Sequence, residues 1–270
     1  MIESNKNATV RFIKSLSKRK SREESGCFFL EGLRGVCDAV VAGARVKHLV
    51  VSESFLNSAL MDEIAKLKDS AVDFSAESVL FPVSNSVFSY ISETEAPQGI
   101  GAVIYMSKPG KLCGNNLLLL ENLQDPGNMG TVIRTADAAG FAGIICMKGC
   151  VDIYNSKVLR STVGSLFHIP IIRRDGVADT ATSVVSELKT LGYTVYAAHP
   201  RGGVTLFDEA FTEKNVIVIG NEANGITDEM LSVCDKTVTI PMPGKSESLN
   251  ASVAAALMMY ETVRKRKSKF

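Results

Sequence analysis

Short apolar runs alternate along the whole chain with segments whose apolar residues recur every third or fourth position. Runs of four or five apolar residues flanked by Gly, Asn or Asp read as strands, and the longer period reads as amphipathic helix. Thr9–Arg22 follows the helical period, and Arg11, Lys14, Lys18 and Arg22, spaced 3, 4 and 4 apart, would form one basic stripe on it. Cys27–Leu30 is a short apolar run, and Glu31–Gly43 is helical by Val36, Ala39 and Val40. His48–Val51 reads as a strand, Leu56–Lys68 as a helix and Val72–Phe74 as another strand. Phe81–Ser92 fits no single period, and Gly99–Met106 closes the series as a strand. The alternation predicts a smaller α/β domain over residues 1–107, large enough to fold alone.

Pro, Gly and Lys with little apolar content mark residues 108–115 as a linker. A second series fills 116–270, with strands expected at Leu117–Glu121, Gly143–Met147, Thr194–Ala198, Val216–Gly220 and Val238–Ile240. Helices are expected at about Thr131–Ala139, Ser183–Leu191, Asp228–Cys234 and Asn250–Lys265. Continuous apolar strands between amphipathic helices predict a mostly parallel sheet with helices on both faces. No apolar run approaches the roughly 20 residues of a membrane span, and MIESNKNATV lacks a signal-peptide core, so a cytoplasmic protein is expected. Cysteines at 27, 37, 113, 146, 150 and 234 form no CxxC pair, which argues against a zinc site or a disulfide framework.

The net charge of +1 says nothing of a polyanionic partner, but its distribution says more. Residues 1–24 hold seven Lys or Arg against three acids, and the closing RKRKSKF holds five basic residues and no acid. Two solvated tails that keep the protein soluble account for that, and charge alone favours them over nucleic acid.

Three stretches are unusual for purely structural sequence. Glu121–Arg134 (ENLQDPGNMGTVIR) runs from a strand end through a Pro/Gly turn into a helix, where open α/β sheets bind ligands, with Arg134 expected about one turn in. A surface loop with a solvated Arg134 fits equally. Val216–Gly225 (VIVIGNEANG) runs from a buried strand into Gly220, Asn221 and Glu222; a plain turn with Thr227 as helix cap also fits. Ile240–Asn250 (IPMPGKSESLN) holds Gly-Lys-Ser at 244–246, but a P-loop needs glycine where Thr239 stands, and GxGxxG is absent too. Ser248 and Asn250 would open the next helix.

Taken together, Asn128 with Arg134, GNE at 220–222 and IPMxGxxESLN at 240–250 resemble the three motifs of the SpoU/TrmH branch of the SPOUT RNA methyltransferases. The resemblance runs from about Leu117 to Glu261, and KSLSKRKSREESGCFFLEGLRGVCDAV is similar to the substrate-binding domain often attached to that branch. Ala251, where a larger aliphatic is common, and the tolerant pair Ala223 and Asn224 are the only departures.

The resemblance implies a trefoil-knotted sheet, a homodimer with its active sites at the interface, and S-adenosylmethionine as methyl donor without a metal. It implies that Ala198, His199, Pro200, Gly220, Asn221, Ile240, Met242 and Leu249 hold the donor. Arg134, Asn128, Glu222, Ser248 and Asn250 would then carry catalysis, methylating a ribose 2′-hydroxyl of RNA. Arg134 would contact RNA phosphate or serve as base, the latter being hard to defend for a group that stays protonated. For His168, as for His199, a structural imidazole is the plainer reading. Lys14, Lys18, Arg19, Lys20 and Arg22 would hold RNA by phosphate contacts, and Ala251, Ala254, Ala255 and Ala256 would suit close helix approach in a dimer or simply in the core. Ribosomal RNA is favoured over transfer RNA because of the appended N-terminal domain. Two other classes stand beside this reading: a non-catalytic RNA-binding or ribosome-assembly protein on the same scaffold, and a nucleotide-dependent oxidoreductase.

Overall fold

The apolar runs gather into two separate sheets, of four and seven strands, in a computed structural model that describes residues 1–61, 79–107 and 114–267. By contacts the chain divides into two units, Met1–Lys108 with Tyr154–Phe167, and Pro109–Ile153 with His168–Phe270.

The first unit begins with α1 (Ala8–Ser15), α2 (Arg19–Ser25), β1 (Cys27–Glu31), α3 (Leu33–Val41) and β2 (Val46–Ser52). It continues with α4 (Glu53–Leu56), β3 (Val79–Val83), α5 (Asn85–Ile91) and β4 (Ile100–Tyr105). The sheet order is β1-β4-β2-β3, with β4 antiparallel to both neighbours and β2 parallel to β3. Alternate strand residues face opposite sides, so Leu30, Ala102 and Ile104 meet Val36, Ala39 and Val40 of α3. Val50 and Val103 meet Val10 and Ile13 of α1 and Val87 and Phe88 of α5. A later segment also belongs here: Leu159 joins the α3 face, and Tyr154 lies 4.6 Å from Phe28 between ring centroids. By contacts residues 154–167, within the domain expected over 116–270, group with the first unit, where Tyr154, Leu159, Leu166 and Phe167 pack on its core.

The single helix expected over Thr9–Arg22 is two. Lys18 is the extended residue before α2, and its N–H bonds the Ser15 carbonyl across the break. Arg22 is 4% exposed, donating to the carbonyls of Leu16 at 2.7 Å and Ser17 at 2.9 Å. Its guanidinium ties the turn together, so Arg22 leaves the surface set and the continuous stripe does not exist. Arg19 and Lys20 pair with Glu23 and Glu24, and Lys14 sits over the Tyr90 ring. Phe81–Ser92 resolves into the end of β3 and α5. Of the helix expected over Leu56–Lys68, residues 62–68 lie outside the described residues, as do Val72–Phe74, most of the linker and the last three residues of the basic tail.

The second unit holds β5 (Asn116–Leu120), α6 (Pro126–Ala138), β6 (Gly143–Met147), β7 (Ile171–Arg174), α8 (Ala181–Thr190) and β8 (Thr194–Ala198). The short α7 (Ser156–Thr162), which carries Leu159, is the helix that falls to the first unit. Then follow β9 (Val204–Thr205), β10 (Asn215–Ile219), α9 (Asp228–Val233), β11 (Lys236–Thr239) and α10 (Ala251–Lys267). The order is β7-β6-β5-β10-β8-β11-β9, and every pair is parallel. Leu117–Leu120 and Val216–Ile219 are wholly or almost wholly buried because helices cover both faces. Val184, Val185 and Leu188 of α8 and Met230 of α9 pack on Leu117, Leu119, Val216 and Val218. The intervening residues face the other side, where α10 meets β10 and α6. β7, α7 and β9 were not foreseen; Ile171–Arg174 is an edge strand whose two arginines mask its apolar signal. Among the described residues no helix is long and apolar enough to cross a membrane.

Candidate functional site

Because all seven strands of the larger sheet are parallel, their carboxyl ends share one edge, and the segments after β5, β8, β10 and β11 collect there. The first leads into α6. Asp125 accepts from the Asn128 N–H at 2.7 Å, and Pro126 occupies the first helical position, where no N–H is needed. The Pro/Gly turn expected at 126–130 is therefore the start of the helix, five residues earlier than the apolar pattern indicated. Gly130 is buried inside it, and Arg134 stands more than two turns in rather than one.

Asn128 is the centre of a short relay. Its Nδ2 donates to Glu222 Oε1 at 3.0 Å, and its Oδ1 accepts from Asn250 Nδ2 at 2.9 Å. The two partners, one acceptor-only and one a donor, fix which way the Asn128 amide points. Glu222 also accepts from the N–H groups of Asp125 at 3.2 Å and Gln124 at 3.4 Å. Partial burial pushes the Glu222 carboxyl up, but the bonds from Asn128, its own backbone and residues 124 and 125 outweigh that and hold it below the usual carboxylate range. Glu222 is thus an ionised acceptor that joins the β5–α6 and β10–α9 segments. Asn250 Oδ1 in turn accepts from Ser252 N at 2.9 Å and Ser252 Oγ at 2.6 Å, so one side chain caps α10 and ties it to α6.

Beside this relay is a cavity of about 250 Å³. Ala198, His199 and Pro200 after β8, Gly220 and Asn221 after β10, and Ile240, Met242 and Leu249 after β11 all line it, with Glu222, Glu247 and Ser248. A Cβ at Gly220 would fall 2.3 Å from the Gly225 carbonyl carbon and 2.4 Å from the Ile226 nitrogen, so only glycine lets the strand end pass beneath that turn. His199 is engaged through Nδ1 with the backbone of Arg201 at 2.7 Å, and His168 with Asp137 at 3.1 Å. Arg134 is exposed, six residues beyond Asn128 and so about a third of a turn round α6 from it, off the face that carries the relay. Among the described residues no three His, Cys, Asp or Glu side chains cluster as a metal site.

Several supporting groups escaped the sequence reading. Glu121 accepts from Thr227 N at 2.9 Å and Thr227 Oγ1 at 2.7 Å, which pins the β10–α9 turn. Asn122 is left-handed at φ 55°, and its carbonyl accepts from Asn221 Nδ2 at 2.9 Å. An Asn or Asp beside a Pro/Gly segment signals such conformations. The Glu121–Thr227 pair becomes visible only once β5 is known to lie beside β10.

The chain matches the SpoU rRNA methylase family over residues 115–260 and an MRM3-like substrate binding domain over residues 7–102. It is 36% identical over 259 residues to the 23S rRNA (guanosine(2553)-2′-O)-methyltransferase RlmP of Bacillus subtilis, covering 96% of this chain and 97% of that protein. The structure of the SpoU methyltransferase AviRb from Streptomyces viridochromogenes, in complex with the cofactor AdoMet, matches with a TM-score of 0.84 at 29% identity, over 97% of this chain and 99% of that one. An AdoMet-bound rRNA methyltransferase from Sinorhizobium meliloti matches with a TM-score of 0.83 at 28% identity, over 97% of each chain.

Proposed function

The chain belongs to the SpoU family of RNA methylases, and on that premise we propose that it transfers a methyl group from S-adenosylmethionine to a ribose 2′-hydroxyl of ribosomal RNA. The observation that carries the reading is the Glu222–Asn128–Asn250 relay beside a cavity built from three strand ends. The cavity suits the donor: Ala198, Ile219, Val238, Ile240 and Leu249 offer apolar walls to a flat adenine. Glu222 and Glu247 give it anionic groups that complement a positively charged sulfonium.

Bound there, S-adenosylmethionine supplies a methyl carbon already activated by the adjoining sulfonium charge. The chain's task is alignment. Glu222, Asn128 and Asn250 hold the three motif segments at fixed separation, so that the ribose oxygen is presented in line, an effect worth several kcal/mol. Ser248 is exposed beside the cavity and orients the ribose. Arg134 contacts an RNA phosphate; its guanidinium stays protonated and therefore positions the substrate rather than removing a proton.

The reading includes a homodimer and the trefoil knot that the family resemblance implies. The knot is supported by a strand order that sets β10 between β5 and β8 and by the return of segment 240–250 to the same strand ends. For the dimer, Ala251 and Ala255 are buried in their own chain, whereas Val253, Leu257 and Tyr260 form an apolar stripe on the outer face of α10, exposed by 47%, 41% and 51%. A second copy would cover that stripe. Light scattering on the full chain should give twice the monomer mass, and Leu257→Asp with Tyr260→Asp should halve it; an unchanged mass would place the interface elsewhere.

Incubation with labelled donor and ribosomal RNA tests the activity. Label is expected at a nucleotide whose 3′ phosphodiester resists alkali, because the 2′-oxygen is blocked. Label on alkali-sensitive nucleotides would mean base methylation, and donor binding without transfer to any RNA would leave a binding scaffold.

A further inference from the structure

The side chain of Lys47 in the first unit is half-buried, yet the groups beside its ammonium are rings. Its Nζ lies 4.8 Å from the centroid of Phe12 and 5.7 Å from that of Tyr105. Arg45 covers the Tyr105 ring at 4.1 Å and is itself exposed. No ion pair to either cation is found among the described residues. Their placement has a specific backbone cause. The β2–β4 register pairs Val46 with Ile104 and His48 with Val103, so Lys47 is the extra residue of a bulge. Bulges re-aim a side chain, and this one turns Lys47 towards α1 and the end of β4. Burial pushes the neighbouring Cys27 thiol up while Lys47 and Arg45 pull it down, so both charges bear on one small region. A partly desolvated ammonium beside a guanidinium, with aromatic faces as neighbours, is complementary to an anion attached to a flat ring.

We propose that Arg45, Lys47, Tyr105 and Phe12 form a nucleotide-binding corner that takes an unpaired nucleotide of the RNA substrate. The base stacks on the Arg45–Tyr105 pair, and the phosphate accepts from Lys47. The proposal rests on the RNA methyltransferase reading above. It moves the main RNA contact of this unit from the basic residues of α1 and α2 to the bulged end of β2. Most of the corner falls within the region matched to a substrate binding domain.

The test uses the full chain, a labelled single-stranded oligoribonucleotide and ribosomal RNA. R45Q/K47Q is compared with K189Q/K214Q, which removes the same charge in the second unit, at the C-terminal end of α8 and just before β10. The corner variant should bind about ten-fold more weakly, with a salt slope shallower by about 1.4, and the control should stay within about two-fold. Tyr105→Phe should bind as wild type, and Tyr105→Leu, which keeps the apolar packing, about five-fold or more weakly. In methyl transfer the corner variant should raise KM for RNA and leave kcat and donor affinity unchanged. Equal losses in the corner and control variants would reduce the corner to diffuse electrostatics and overturn it. A wild type that transfers no methyl group to RNA overturns premise and corner together. A wild type that does, with R45Q/K47Q unchanged, overturns the corner alone.

Discussion

At the strand ends of the larger sheet a carboxylate is gripped by three N–H donors of the β5–α6 segment, whereas in the smaller unit cations lie on ring faces and backbone carbonyls. The first arrangement is directional: each donor to Glu222 has one acceptor geometry, and moving any loop breaks a bond. The second is tolerant, since a ring attracts a cation over a broad range of positions. The difference matches the two tasks. Methyl transfer needs atoms held to a fraction of an ångström, and holding RNA needs charge near a backbone that can shift. Substitutions in the two regions should therefore fail in different ways.

The largest effect is expected at Arg134. Arg134→Ala should lower methyl transfer roughly a hundred-fold or more while S-adenosylmethionine binds within a few-fold of wild type. The cavity is lined by residues 198–200 and 219–225, by Val238, Ile240 and Met242, and by Glu247, Ser248, Leu249, Ala251 and Ala254, and Arg134 is not among them. Arg134→Lys should rescue little if the planar fork matters. Calorimetry and single-turnover transfer measure the two quantities, and a proportional loss of donor binding would make Arg134 a cavity residue.

The next effect sharpens the contrast within the basic set. Arg22→Ala should destabilise the protein by about 2–3 kcal/mol, because the Leu16 and Ser17 carbonyls lose a charged donor. Lys18→Ala, at an exposed position, should change stability by no more than about 0.5 kcal/mol. Urea unfolding compares them. Equal stability of the two variants would return Arg22 to the surface. Deleting residues 1–107 is a poorer probe than these substitutions, since it would strip Leu159 and Tyr154 of their core.

The larger sheet was legible because its strands are four or five consecutive apolar residues, Leu117–Leu120 and Val216–Ile219, buried on both faces. Once such strands are parallel, whatever follows them is brought to one edge, which is why Gly220, Ile240 and Leu249 meet although far apart in sequence. The smaller unit is less legible, and Arg22 shows why. Helical spacing continues through Leu16–Lys18 in the sequence, but nothing in the pattern reveals that a buried guanidinium stabilises a break there. The bulge at Lys47 was equally hidden, because one extra residue changes a side chain's direction without changing composition. The grouping of Tyr154–Phe167 with the first core is a long-range fact that no local period carries.

Asn250→Ala should have an intermediate effect, since it removes both the α10 cap and the bond to Asn128. Loss of the cap alone costs about 1 kcal/mol. Donor affinity should fall with it, because Leu249, next in sequence, lines the cavity. The informative comparison is Asn250→Asp, which keeps the acceptor for Ser252 but cannot donate to Asn128. If Asn250→Asp restored stability and left donor affinity low, the two roles would be separate; if both quantities returned together, the cap alone would matter.

The smallest effect is a pH dependence at Glu222. Its carboxyl is held below the ordinary value of 4.5 in the folded protein, chiefly by hydrogen bonds that outweigh its burial. The unfolded chain then binds a proton more readily than the folded one. Its contribution to stability is therefore complete above about pH 4.5 and is lost as pH falls through the lowered folded value. Because the side chain is exposed, the contribution is modest and should shrink further in salt. Glu222→Gln lacks the charge at every pH, so the difference in unfolding midpoint between wild type and this variant isolates the effect. That difference should be flat from pH 8 to 5 and close towards zero on further acidification. A difference that stayed constant down to pH 3, or widened there, would mean that Glu222 is held by shape rather than by its charge, and the contrast between a gripped anion and tolerant cations would lose its first member.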